Sequence, residues 1–184
     1  LSSIILVRHG PVALKAPGLL SFEGFCDYAD AYEFSGIEAG AMPPGQVARL
    51  VGGARTIFAS DAPRVSETLT LFGVEAAITD PAIREAPPQA PSLPLRLPAI
   101  VWLALARARG TFDPALEEAR SDLRRRALQC ADRLIEASAT GDVALVGHGW
   151  FNRFVARAIS ERGRRKTAGP GFGRPWGHIV FHGP

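Results

Sequence analysis

The sequence predicts an α/β fold, a three-layer sandwich with helices flanking a mostly parallel central sheet. Short apolar runs alternate along the chain with segments of helical periodicity. The runs are continuously apolar instead of alternating with polar residues, as in strands covered on both faces. With 184 residues, 47% of them hydrophobic and 21% charged, the chain suffices for one domain with a substantial core.

The first strand is "SIILVR" (3–8), which stops at Arg8, His9 and Gly10. A long insertion, residues 11–43, follows and carries one helix over "FEGFCDYADAYEF". There Phe22, Phe25, Cys26, Ala29 and Tyr32 recur at helical spacing, with Glu23, Asp27, Asp30 and Glu33 largely on other faces. This helix is expected to wall the sheet's carboxyl edge, although the pattern equally fits one that extends the core. "GQVARLV" (45–51) predicts a short helix and "RTIFAS" (55–60) the second strand. "PRVSETLTLF" (63–72) predicts a helix opening on Pro63, a favoured first-turn position. "VEAAIT" (74–79) predicts a third strand. Residues 86–98, "APPQAPSLPLRLP", predict an irregular loop, because proline lacks an N–H and fixes φ. "SDLRRRALQCADRLIEA" (121–137) predicts a helix that aligns Leu123, Ala127, Leu128, Cys130, Ala131, Leu134 and Ile135 on one stripe, with the arginines outside. "DVALVG" (142–147) is the fourth strand, "WFNRFVARAIS" (150–160) a helix, and "GHIVFH" (177–182) a closing edge strand. No internal repeat or second domain interrupts residues 1–184.

Composition narrows the function. No apolar run approaches the ~20 residues that span a bilayer, so no membrane partner is expected. The start "LSSIILVRHG" lacks a basic leader and a separate cleavage region, and a cytoplasmic location is expected. Cys26 and Cys130 lie far apart, outside any zinc-ligand spacing, and read as small core residues. The net charge of +3 owes much to "LRRR" (123–126) and "ERGRRK" (161–166). Both read as solvated faces, since no aromatic residues interleave them, and nucleic acid is not expected.

In open α/β sheets, ligands bind beyond the carboxyl ends of the strands. The first strand ends at Arg8 and His9. The second runs through "ASDAPR" to Arg64, and the fourth into "GHG" with His148. If these strands are parallel, two arginines and two histidines converge on one edge. Two unit cations 4 Å apart repel by ~4 kcal/mol at an effective dielectric of 20, so the cluster implies an anion. Arginine's planar fork suits phosphate, and helix N-termini add N–H groups. Gly10 and Gly149 leave the backbone beside each histidine free of side chains. A neutral imidazole there attacks phosphorus and carries the phosphoryl group, with no metal or other cofactor required. Singly, each residue reads as an ordinary polar group: Arg64 pairing with Glu67, Glu85 as a loop carboxylate, His178 and His182 as structural residues. The convergence of the four cationic groups carries the functional reading.

"LVRHG" resembles the signature of the histidine phosphatase superfamily, the phosphoglycerate mutase-like proteins. "PPGQVARL", "FASDAPRVSETL", "DPAIREAPP" and "VALVGHGWFNRFV" resemble its further motifs in the same order, over roughly residues 4–159. The resemblance implies a phosphoglycerate mutase-like fold with His9 as the phosphorylated nucleophile. Arg8, Gly10, Arg64 and His148 would bind the phosphoryl group, and Glu85 would be proton donor and later base. Where the family often follows its acid with Gly and Trp, this chain has a proline-rich stretch, and Asp61, Glu23 and Asp27 are further carboxylates for that role. The expected activity is metal-independent hydrolysis of a phosphorylated small molecule. A phosphoglycerate mutase-like phosphotransferase, a protein phosphohistidine phosphatase and a phosphate-binding regulatory module remain open, as does the oligomeric state.

Overall fold

The computed structural model describes residues 2–183. The chain runs through β1 (Ser3–Arg8), β2 (Leu19–Leu20), α1 (Phe22–Glu33), α2 (Gly45–Gly52), β3 (Thr56–Ala59), α3 (Pro63–Phe72) and β4 (Ile78–Thr79). It continues through β5 (Leu97–Pro98), α4 (Ala99–Phe112), α5 (Glu117–Ala137), β6 (Val143–Gly147), α6 (Gly149–Glu161), β7 (Arg165–Ala168) and β8 (His178–His182). The main sheet has the order β4-β3-β6-β1-β8-β7. Its first four strands are mutually parallel, while β8 is antiparallel to both β1 and β7.

Strand alternation explains the continuous apolar runs. Ile4 and Leu6 of β1 join Val143 and Leu145 of β6 on one face, beneath Leu123 and Leu134 of α5 and Phe151 and Val155 of α6. Ile5, Val7, Ala144 and Val146 point the other way, onto Val47 and Val51 of α2 and Val65 and Leu69 of α3. Every residue along these strands therefore has an apolar neighbour, and a fully buried aliphatic side chain contributes about 1.5–3 kcal/mol.

A third cluster lies outside the sheet. Phe25 of α1 stacks near Trp102 of α4, with Leu20, Ala90 and Ala106 around them. Trp102 Nε1–H donates to the Leu20 carbonyl at 2.8 Å. The insertion and the proline-rich segment thus pack on each other, pinned by the small antiparallel pair β2–β5.

Three expectations are corrected. The loop expected over 86–98 ends in a strand, because Leu97–Pro98 pairs antiparallel with Leu19–Leu20. The strand expected over 74–79 is confined to Ile78–Thr79, because the Val74 N–H closes the end of α3 on the Leu69 carbonyl. "GHIVFH" is interior, because β7 pairs along its outer side. The residues of β7 are all exposed and lie partly within the basic run, so no apolar signal marks them. Helix α4 also escapes the sequence pattern: it buries Trp102 and Ala106 but leaves Ile100 and Val101 exposed, which blurs its periodicity.

Candidate active site

Sheet register assembles the site. Arg8 lies opposite Gly147 in the parallel β1–β6 pair, so the next residues, His9 and His148, emerge side by side. The His9 N–H donates to the Gly147 carbonyl at 2.9 Å, and the Ser60 N–H to the Val146 carbonyl at 3.3 Å. One row at the carboxyl edge thus holds Arg8, His9, Ser60 and His148. Arg64 joins it from the first turn of α3, entirely buried.

The two imidazoles lie 5.4 Å apart, centroid to centroid, in an edge-on arrangement. His9 Nδ1–H donates to the Gly10 carbonyl at 2.7 Å, which leaves the lone pair on Nε2. His148 Nδ1 accepts from Arg64 Nη2 at 3.2 Å, so Nε2–H donates to Ser60 Oγ at 2.9 Å. Burial, with help from the Arg8 and Arg64 guanidiniums, pushes the His9 pKa down to about 3, against the opposing pull of the Gly10 carbonyl. Burial likewise lowers His148 well below the usual imidazole range, aided by Arg64, His9 and Arg8. Both rings are neutral at pH 7.

The two arginines are oriented in the same manner. Arg8 Nη1 donates to the Phe172 carbonyl at 3.1 Å. Arg64 Nη1 donates to the carbonyls of Tyr32 and Glu33 at the end of α1, at 3.2 and 2.9 Å. A guanidinium at a helix C-terminus is favourably placed against the helix dipole. In each arginine, Nε is buried without a hydrogen-bond partner among the described residues. Cations fixed at one end, with a buried donor unsatisfied at the other, suit an anion with several oxygens.

Neighbouring groups hold this frame. The Gly10 N–H donates to Thr68 Oγ1 at 3.0 Å, and Asn152 Nδ2–H donates to the Val7 carbonyl at 3.0 Å. A Cβ on Gly10 would lie 2.5 Å from the Trp176 ring, so the space expected to stay open beside Gly10 is filled by an indole. Trp176 adopts φ 62°, an uncommon value for a bulky residue, and its N–H donates to the His9 carbonyl at 3.3 Å. Gly149 does face the site closely: a Cβ there would lie 3.3 Å from Arg8 Cδ.

Glu85 sits at the N-terminus of α6 as a remote cap. Its Oε2 accepts from the Trp150 N–H and its Oε1 from the Phe151 N–H, both at 2.9 Å, with Arg107 Nη2 at 3.8 Å. His148 at the N-cap position makes no side-chain capping bond, so Glu85 supplies it. No hydrogen bond joins Glu85 to His9 or His148 among the described residues. Asp61 is held by Arg84 through two 2.6 Å bonds, which lower its pKa. Glu23 and Asp27 are exposed on α1. Arg64 pairs with Glu33, at 2.7 Å, and not with Glu67, whose carboxylate accepts from the Ile37 N–H at 2.6 Å. A cavity of about 470 Å³ between α4, α5 and α6 is lined by Arg107, Leu123, Trp150 and Phe154, but by neither histidine.

Sequence motifs had singled out Arg8, His9, Arg64 and His148, and the structure brings them together. Tyr32, Glu33, Phe172 and Trp176 were not singled out. Tyr32 and Glu33 act on Arg64 from the end of the helix in the insertion. The signal for the other two is the glycine-rich "AGPGFGRPWG" that precedes the final strand.

The family model of the histidine phosphatase superfamily (branch 1) matches residues 46–169, a stretch that contains Arg64, Glu85 and His148 and begins after His9. The chain belongs to that superfamily. No curated protein matches it by sequence. Among solved structures it resembles the product of open reading frame Rv3214 of Mycobacterium tuberculosis, at 16% identity and a TM-score of 0.60, covering 97% of this chain and 90% of that one. It also resembles the protein TTHB049 of Thermus thermophilus, at 21% identity and a TM-score of 0.51, over 97% and 92% of the two chains. A phosphoserine phosphatase mutant of Entamoeba histolytica, in complex with phosphoserine, gives 11% identity and a TM-score of 0.51, over 99% and 91%. These likenesses show the shared phosphoglycerate mutase-like α/β fold.

Proposed function

We propose that the protein is a metal-independent phosphatase that hydrolyses phosphomonoesters of small molecules through a phosphohistidine on His9. The observation that carries this reading is the cluster of two buried, neutral histidines with Arg8 and Arg64, each arginine keeping a buried Nε without a partner among the described residues.

His9 Nε2 attacks phosphorus, and the phosphorus–oxygen bond to the leaving alcohol breaks as the nitrogen–phosphorus bond forms. Arg8 and Arg64 stabilise charge on the equatorial oxygens. The Gly10 carbonyl, accepting from Nδ1–H, stabilises the cation that develops on the ring. His148 holds Arg64 Nη2 in place while anchored on Ser60. A carboxyl group delivers a proton to the leaving oxygen, and we assign that role to Glu85, beside the helix that His148 opens. For this, Glu85 exchanges one capping bond for the leaving oxygen. Water then attacks the phosphohistidine, gives its proton to the same carboxylate, and inorganic phosphate departs.

Steady-state hydrolysis of p-nitrophenyl phosphate tests the proposal. Turnover is expected to survive EDTA unchanged and to vanish in His9→Ala. Loss on chelation with rescue by Mg²⁺, or full activity in His9→Ala, contradicts it.

A further inference from the structure

We infer that Glu33 makes this site selective for phosphomonoesters whose alcohol portion carries a cation close to the ester oxygen. The inference rests on the phosphatase reading above and concerns which substrates the same site prefers.

Arg64 and Glu33 straddle the boundary of the site: the arginine side chain is 1% exposed and the glutamate 42%. Glu33 Oε2 lies 2.7 Å from Arg64 Nη2, whose other hydrogen goes to His148 Nδ1 at 3.2 Å. The other nitrogen, Nη1, is turned away to the carbonyls of Tyr32 and Glu33. The Nε–H, buried without a partner among the described residues, is therefore the Arg64 donor left for a phosphoryl group, and Glu33 holds the neighbouring nitrogen of the same guanidinium. Hydrogen bonds of ordinary length on two nitrogens of one guanidinium place the anions about 6 Å apart.

Charge balance makes this arrangement selective. Arg84 is matched by Asp61, and Arg107 lies against Glu85. Around the neutral histidines this leaves two cations, Arg8 and Arg64, and one anion, Glu33. A dianionic phosphoryl group balances both arginines by itself and leaves the Glu33 charge in excess. An ammonium two carbons from the ester oxygen reaches Glu33 and restores neutrality; an uncharged alkyl chain does not.

The carboxylate cannot withdraw with its backbone. The carbonyls of Tyr32 and Glu33 hold Arg64, and the Tyr32 ring lies 5.1 Å from the guanidinium. The following segment is tied down by the Ile37 N–H on Glu67, by the Ala13 N–H on the Gly36 carbonyl at 3.0 Å, and by the Val12–Ile37 bridge. The backbone that carries Glu33 therefore stays at the boundary of the site.

The test compares kcat/KM for O-phosphoethanolamine and propyl phosphate, which differ by an ammonium in place of a methyl group. The native protein is expected to favour phosphoethanolamine by about two- to fivefold, as a half-exposed ion pair allows. In Glu33→Gln the preference is expected to disappear, with tighter inhibition by inorganic phosphate. A native ratio of one or less, or a ratio unchanged in Glu33→Gln, overturns the inference. If His9 still becomes phosphorylated by p-nitrophenyl phosphate in that case, only the selectivity fails. If His9 is never phosphorylated, the phosphatase reading itself has failed.

Discussion

An exposed imidazole is divided between its charged and neutral forms near neutral pH, whereas His9, buried between Arg8 and Arg64, refuses a proton until about pH 3. A nucleophile must keep its lone pair, and here the folded environment preserves it over the whole physiological range. The same environment has a cost in stability. Below pH ~6.5 the unfolded chain takes up a proton on His9 that the folded chain does not, so stability falls with falling pH until the folded value is reached. Urea unfolding at pH 7 and pH 4 measures this. His9→Gln is expected to lose about 3 kcal/mol less than the native protein over that interval. Equal losses would mean that His9 titrates normally. Arg8, His9 and His148 were legible because each ends or follows an apolar run, where strand geometry fixes its place. Trp176 was not legible, because its role depends on a left-handed backbone and on the absence of a side chain at Gly10, residues far apart in sequence.

Among the elements, α6 depends most on a distant partner. Its N-terminal N–H groups at Trp150 and Phe151 are satisfied by Glu85, from the loop that opens the proline-rich segment. Glu85→Gln keeps one acceptor and loses the charge, so the thermal midpoint should drop by the equivalent of about 1–3 kcal/mol. As proton donor, Glu85 should matter most for poor leaving groups. The variant should therefore slow propyl phosphate about 10²- to 10⁴-fold and p-nitrophenyl phosphate far less. A stability loss with equal effects on both substrates would restrict Glu85 to capping. The sequence disclosed α3, α5 and α6 closely, since each presents a regular apolar stripe to the sheet. It disclosed neither α4, whose exposed Ile100 and Val101 mask the buried Trp102, nor β7, which is wholly polar or small and exposed. The helix in the insertion was legible from its spacing. That it would wall the carboxyl edge was one of two placements the pattern allowed, and that its last turn holds Arg64 was not legible.

For the molecule as a whole, two buried faces fix the sheet, and the sheet fixes the site. The parallel register of β1, β3 and β6 sets His9, Ser60 and His148 in one row. Helices α3 and α6 start from that row and bring Arg64 and the Glu85-capped turn to it. The segments around the site, the insertion with α1 and the glycine-rich stretch around Phe172 and Trp176, hold the arginines through main-chain carbonyls and pack against Gly10. The proposed nucleophile thus stands on the sheet edge, and the proposed selectivity on the helix of the insertion. The central claim is that His9 carries the phosphoryl group in turnover. Rapid quenching after brief exposure to ³²P-labelled phosphomonoester tests it most directly, followed by peptide mapping of the label. The account predicts acid-labile, alkali-stable phosphate on the peptide containing His9, absent in His9→Ala. Label on a serine, or no label in native protein that is turning over, would contradict it.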